Sequence, residues 1–384
     1  MRIAVVKESR PGEKRVAASP ETVKKLSNRG LEVFVQMGAG AASSFVDDDY
    51  ESAEGVLVST FKETVEKADL ILKVQKPVVK GEKGLEEELK WFSKDAMLIA
   101  LLSPLTDQDQ LKLYAQHSIT AFSMDMIPRI SRAQSMDVLS SQSSLAGYRS
   151  VLDAAHEYGR AFPMMMTAAG TITPAKVLIL GAGVAGLQAI ATAKRLGASV
   201  SAFDVRPTVK EQVESLGATF VEVDNPDDAN AETKGGYAQE MSEDYKKRQS
   251  KKIEETLAKS DIAITTALIP GKPAPRLISE DMVDHMKPGS VIVDMAIEAG
   301  GNCAVSQADQ IVNHRGVKVI AYRNIPSRIP QDASRLYARN IFSFLDFLLD
   351  KDNPQITLNQ EDEIIKGTLL THQGNITHDL FKNA

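Results

Sequence analysis

Short segments rich in apolar residues mark the N-terminal third of the chain at positions 3–6, 32–36, 70–74, 97–102 and 120–123. Between them the apolar positions recur at helical spacing. The first such stretch is bounded by clear signals: Ser19 suits a helix N-cap, Pro20 the first helical position, and Gly30 a left-handed stop. Apolar strands alternating with amphipathic helices predict a parallel sheet with helices on both faces.

A longer helix is predicted over 137–158, where Val138, Leu145, Tyr148, Leu152, Ala155 and Gly159 recur every three or four residues. A helix placed between two α/β segments serves as a spacer joining domains. Six further apolar runs follow at 176–180, 199–204, 219–223, 262–267, 290–296 and 317–322. Six strands are what a full doubly wound dinucleotide domain requires. The expected fold is therefore α/β, with two Rossmann-like doubly wound parallel-sheet domains joined by long helices. The first spans 1–138 and is completed by 329–384; the second spans 139–328. After Pro330, an apolar stripe through Leu336, Ile341, Phe344, Leu345 and Leu348 predicts a helix that packs back on the first domain or across a dimer contact. The polar stretch 224–250 exceeds an ordinary connection, and its portion near 224–245 is expected to be a mobile loop.

Composition narrows the class. The 384 residues are 43% hydrophobic and 25% charged, as in ordinary globular proteins. A formal net charge of −6 with no basic stripe argues against nucleic acid as a partner. No apolar run approaches the roughly 20 residues of a membrane-spanning helix, so direct membrane insertion is not expected. The single cysteine, Cys303, fits a reducing compartment, and the N-terminus carries no signal-peptide pattern, so a cytoplasmic location is expected. None of the six histidines stands at metal-ligand spacing, and no metal site is expected.

The most specific local signal is Gly181-Ala182-Gly183-Val184-Ala185-Gly186, which follows one predicted strand and opens a helix. Gly181 and Gly183 permit a tight turn and close approach of backbone to a pyrophosphate, and Gly186 lets helix and strand pack closely. The helix N-terminus offers amide donors to phosphate. Asp204 ends the next strand, about 20 residues on, where a carboxylate bonds the adenine ribose hydroxyls and repels a 2′-phosphate. NAD(H) is thus the expected nucleotide, although Arg206 nearby is a residue type that accommodates a 2′-phosphate. Oxidation of an alcohol or amine also needs an acid/base group near the nicotinamide, and no motif supplies one. Hydride exchange between two nicotinamides needs only positioned rings and excluded water.

Longer stretches carry a family likeness. Lys7-Glu8, residues 11–17 (Pro-Gly-Glu-Lys-Arg-Val-Ala) and Ser19-Pro20 resemble the start of the alanine dehydrogenase/pyridine nucleotide transhydrogenase family. So do 267–275 (Ala-Leu-Ile-Pro-Gly-Lys-Pro-Ala-Pro) and 286–294 (Met-Lys-Pro-Gly-Ser-Val-Ile-Val-Asp). The alanine dehydrogenases of this family hold substrate with a lysine in a K-V-K-E-P segment, where this chain has Gln75. Their catalytic histidine aligns with Ser103 and their active-site aspartate with Glu298; the carboxylate-binding arginine alone is kept, as Arg15. Residues 128–142 instead resemble the NAD(H)-binding component of proton-translocating transhydrogenases.

That resemblance implies roles near the nicotinamide and its ribose for Arg129, Gln134 and Asp137, with Ser140 nearby. It implies nucleotide contacts for Ile130, Ser131 and Arg132, for Val184 beside the glycine turn, for Val205 and Arg206 beside Asp204, and for Ala267 and Leu268. Gly236 and Tyr237 resemble that component's mobile loop, which closes on bound nucleotide. It further implies that NADP(H) is bound by a partner subunit, that membrane-spanning subunits carry the protons, and that the chain forms a homodimer on the cytoplasmic face of a bacterial inner membrane. An amino-acid oxidoreductase and a non-catalytic NAD-binding regulator are the alternative readings.

Overall fold

Ser19 starts the first helix as its sequence context predicts: its side chain accepts from Thr22 N while the Thr22 hydroxyl accepts from Ser19 N. Gly30 ends that turn at φ +77°. The computed structural model describes residues 1–223, 242–350 and 354–382. In chain order it contains β1 (Arg2–Val5), α1 (Pro20–Asn28), β2 (Glu32–Gln36), α2 (Asp47–Ser52), β3 (Val56–Val58), α3 (Phe61–Val65), β4 (Leu70–Gln75), β5 (Met97–Leu101), α4 (Asp109–Gln116), β6 (Thr120–Ser123) and α5 (Val138–Glu157). Next come β7 (Met165–Thr167), β8 (Gly170–Ile172), β9 (Lys176–Leu180), α6 (Val184–Arg195), β10 (Ser199–Phe203), α7 (Lys210–Ser215), β11 (Thr219–Phe220) and α8 (Glu243–Leu257). They are followed by β12 (Ile262–Thr265), α9 (Glu280–Asp284), β13 (Val291–Asp294), β14 (Ile311–His314) and β15 (Val317–Ile320). The last elements are α10 (Pro330–Leu348), α11 (Glu363–Thr368), β16 (Leu369–His372) and β17 (Asn375–Ile376).

Two units result: Met1–Gln142 with Ser327–Ala384, and Ser143–Pro326. The division falls inside α5, a few residues from the 138/139 and 328/329 boundaries expected from sequence. In the first unit the strand order is β17-β16-β6-β5-β4-β1-β2-β3. Its six N-terminal strands run parallel, and β16 pairs antiparallel with β6. The helix α10 packs on this unit's core through Tyr337, Ile341, Phe344, Leu345 and Leu348, with Phe344 set edge-on to Phe122 at 5.6 Å.

In the second unit the order is β11-β10-β9-β12-β13-β15-β14. Within this sheet all pairs are parallel except the edge pair β14/β15. The six parallel strands are the ones read from sequence, and their order reverses between β9 and β12. Ligands of open α/β sheets bind at such a reversal, outside the strands' carboxyl ends. Gly147 sets the crossing of α5 on α6: a Cβ there would lie 2.0 Å from Ala185 O.

Candidate functional site

The turn after β9 is shaped by its three glycines in three different ways. Gly181 has φ +102°, and a Cβ on it would lie 2.6 Å from Thr266 Oγ1, which itself donates to Gly181 O at 3.0 Å. A Cβ on Gly186 would lie 1.8 Å from Gly181 O, so α6 is pressed directly onto the end of β9. Around Gly183 there is space: the nearest atom to its would-be Cβ is Arg206 Nη2, at 4.0 Å. Gly183 is also the N-cap of the 12-residue α6 and gives it no side-chain cap. An open cradle above uncapped helix amides fits a nucleotide pyrophosphate. Val184, at the first turn of α6, is 40% exposed.

β10 ends at Phe203 rather than at 204 because the Asp204 carboxylate turns back to the glycine loop. Its Oδ2 accepts from Ala182 N at 2.7 Å. Arg206 adds three donors: its backbone N and Nε to Oδ1, both at 2.9 Å, and Nη2 to Oδ2 at 2.8 Å. Val205 lies between them, partly buried against the neighbouring core. Across the strand-order reversal, Ala267 N lies 3.3 Å from the Cβ position of Gly181. Ala267 is clamped by Asn302, whose Oδ1 accepts from Ala267 N at 3.1 Å and whose Nδ2 donates to Ala267 O at 2.9 Å and Pro275 O at 2.8 Å. Leu268 beyond it is 50% exposed.

Asn302 was not among the residues singled out from sequence, nor was Asp294 given a role. Fully buried Asp294 accepts from Thr265 Oγ1, from the backbone N of Ala296, Asn302 and Cys303, and from Ser306 Oγ at 2.7–3.2 Å. It ties the loop after β13 together and so places Asn302. An aspartate ending an apolar strand is the sequence signal that could have pointed there.

The segment 129–140 belongs to the first unit. Asp137 caps the start of α5, accepting from Ser140 N at 2.9 Å and Ser140 Oγ at 2.6 Å. Arg129 and Gln134 are exposed, as is Ser131, while Ile130 packs on the first core. Arg132 forms a bidentate pair with Asp362 at 2.7 and 2.8 Å. Gly236 and Tyr237 lie outside the described residues, as does most of the 224–245 loop.

Beneath β1 and β4 the same unit buries ionic groups. Arg15, 3% exposed, donates Nε and Nη2 to Glu13 at 2.9 and 2.7 Å, and Nη1 to Gln142 Oε1 at 2.8 Å. Gln75 Nε2 donates to the same Glu13 carboxylate at 2.9 Å. Burial by itself would raise the Glu13 carboxyl, but the Arg15 guanidinium holds it down to about 2. Ser103 stands in the left-handed region at φ +50°, with its backbone N donating to Asp125 at 2.9 Å. Glu298 is exposed and accepts from Asn324 N. On the surface of the second unit, Glu254, Asp281 and His285 come together from two helices, with His285 Nδ1 3.3 Å from Glu254. No histidine spacing announces that group, because its carboxylates come from both α8 and α9.

Comparison with known proteins decides the family. The alanine dehydrogenase/PNT N-terminal domain matches residues 4–146, and the alanine dehydrogenase/PNT C-terminal domain matches residues 150–379. This chain belongs to the alanine dehydrogenase/PNT family. Within it the chain is 53% identical over 378 residues to an NAD(P) transhydrogenase alpha-subunit polypeptide of Rhodospirillum rubrum, covering 98% of both chains. A solved transhydrogenase from Sinorhizobium meliloti superposes with a TM-score of 0.87 at 46% identity, over 98% of this chain and all of that one. Alanine dehydrogenase of Methanococcus maripaludis is more distant, at 27% identity over 396 residues, 100% of this chain and 96% of that one.

Proposed function

We propose that this chain is the NAD(H)-binding subunit of a proton-translocating NAD(P) transhydrogenase of the si/re-specific kind. NADP(H) is bound on a partner subunit, and membrane-spanning subunits couple the transfer to proton movement. The observation that carries this reading is the open dinucleotide turn at 181–186 in a chain that has Gln75 and Ser103 where the resemblance puts the substrate lysine and catalytic histidine of the alanine dehydrogenases. The names of the close relatives agree with it.

Bound, the nucleotide supplies a hydride that passes between two nicotinamides without a proton being gained or lost. The chain's own residues have the simpler task of binding, orienting and excluding water. Gly181, Gly183 and Gly186 admit the pyrophosphate to the amides of α6. Asp204 holds the adenosine ribose, with Val184, Val205, Ala267 and Leu268 beside it. Arg129, Gln134 and Asp137, with Ile130, Ser131, Arg132 and Ser140, serve the nicotinamide and its ribose. Among the described residues no helix is long and apolar enough to cross a membrane, which suits a peripheral subunit on the cytoplasmic face of the inner membrane.

The deciding experiment mixes the purified chain with a separately prepared NADP(H)-binding component and follows hydride transfer from NADH to an NADP⁺ analogue. Rapid transfer that neither component shows alone is the expected result. Tight NADH binding without transfer would favour a regulator, and ammonia-dependent NADH oxidation with pyruvate would favour an amino-acid dehydrogenase.

The homodimer has a structural candidate in the β7–β8 hairpin. Met164, Met165 and Met166 are 62%, 45% and 83% exposed there, and Ile172 is 37% exposed. A lone two-stranded ribbon is marginal in water, and such an apolar tip fits burial on a second copy. The pair Met165→Ser and Met166→Ser is expected to weaken self-association at least about tenfold in sedimentation experiments. Unchanged association would remove the hairpin from the contact.

A further inference from the structure

Asp204 and Arg206 present a conflict that residue types alone leave standing. A carboxylate at this place accepts the ribose hydroxyls of NAD(H), and an arginine beside it accommodates the 2′-phosphate of NADP(H). The structure puts both in one ion pair, with side chains 5% and 14% exposed and Nη2 2.8 Å from Oδ2.

The donor geometry is informative. A carboxylate offers about four acceptor sites, two on each oxygen. Here Oδ1 accepts from Arg206 N and Arg206 Nε, and Oδ2 from Ala182 N and Arg206 Nη2. All four are taken. Withdrawal of the guanidinium alone frees one site on each oxygen, the number two adjacent ribose hydroxyls need. The two backbone donors, Ala182 N and Arg206 N, stay and keep the carboxylate aimed. The guanidinium lies over the turn, 4.0 Å from where a Cβ on Gly183 would stand.

We infer that Arg206 is both a latch on the ribose site and a latent 2′-phosphate ligand, kept out of use by Asp204, so that discrimination between NADH and NADPH resides in the pair. This rests on the nucleotide site proposed above and goes beyond it by making Arg206 the specificity-determining partner. NADH binding exchanges the Arg206 bonds for ribose hydroxyls. A 2′-phosphate meets the Asp204 charge, and the arginine that would welcome it is held by that same carboxylate. With the carboxylate charge removed, both the repulsion of a 2′-phosphate and the ion pair that holds Arg206 on Asp204 are lost.

The test measures binding of NADH and of NADPH, by dihydronicotinamide fluorescence, to the full chain and to Arg206→Met, Asp204→Asn and the double variant. Loss of the latch should tighten NADH binding to Arg206→Met at least about threefold, because the competent state no longer competes with an internal occupant. Asp204→Asn should bind NADPH at least about tenfold more tightly than the unmodified chain, through a charge-assisted phosphate contact. The double variant should lose that gain.

Three results would overturn the inference: no NADPH gain in Asp204→Asn, a gain that survives in the double variant, or weaker NADH binding by Arg206→Met. If Asp204→Asn melts below the assay temperature, the Arg206→Met arm decides alone, since weakened NADH binding would make Arg206 an ordinary ligand. Failure of the unmodified chain to bind NADH is a separate outcome. It would count against the proposed function, whereas the pair is judged by the changes among variants.

Discussion

Replacing Gly186 with alanine is expected to raise the dissociation constant for NADH at least about 100-fold and to destabilise the second unit by about 3 kcal/mol or more. The added methyl would lie 1.8 Å from Gly181 O, a backbone atom of the turn itself. Neither partner can swing aside, so α6 has to lift from the end of β9 and carry its N-terminal amides away from the pyrophosphate. Gly183→Ala is the informative contrast. Its φ of −74° suits alanine, and nothing but the Arg206 side chain lies within 4.0 Å of the new Cβ. That variant should unfold within about 0.5 kcal/mol of the unmodified chain yet bind NADH at least about tenfold more weakly, since only the nucleotide needs the space. Fluorescence titration and urea unfolding of the two variants separate the roles. Equal loss of stability in both would show that the glycines serve packing alone.

The second large effect belongs to Lys73. This residue sits on β4, 1% exposed, with its Nζ 3.2 Å from Glu8 and 3.1 Å from Glu88. Burial by itself would lower the Lys73 ammonium, but Glu8 and Glu88 hold it above its ordinary range. Burial also raises the Glu8 carboxyl, against the pull of Lys73. Glu88 is further committed to Ser9 Oγ at 2.6 Å and Val78 N at 3.1 Å. Lys73→Met keeps the side-chain length but strands two buried carboxylates, and is expected to cost about 3–5 kcal/mol of stability in urea unfolding. Combining it with Glu8→Gln, which removes one of the stranded charges, should restore a substantial share of that loss. A single-variant cost below about 1 kcal/mol would show that Glu8 takes up a proton and adapts without Lys73.

Where elements begin was easier to read than where they end. The strand starts at Glu32, Leu70, Met97, Thr120, Lys176, Ser199 and Ile262 coincide with the starts of the apolar-rich segments. The ends at Gln36, Ser123 and Leu180 coincide too, but those of β4, β5, β10 and β12 do not, and in the second unit the last residues leave the ladder to serve the site. Asp204 turns to cap Ala182, and Ala267 is drawn off to Asn302. Several strands carried too little pattern to be seen at all, β7 and β8 of the exposed hairpin among them. β3 has three residues, and β14 is an exposed antiparallel edge whose pairing depends on β15 alone. The role of the last residues was equally hidden. Leu369–His372 has no partner nearby in sequence other than the two-residue β17, and it pairs with Thr120–Ser123, about 250 residues earlier.

Local chemistry along the chain dictates two α/β repeats, the glycine turn between a strand and a helix, a carboxylate at the end of the next strand, and the stretches that carry the family. Each depends on residues close enough in the chain for periodicity, capping and turn geometry to act directly. The tertiary structure decided which of those groups are already engaged. Arg15 is spent on Glu13 and Gln142, Arg206 lies on Asp204, Asp137 caps its own helix, and Lys73 is shared by two glutamates. A charge in a sequence has no partner until the fold brings one within hydrogen-bond reach. In a buried site of low dielectric, that partner settles what the charge is free to bind.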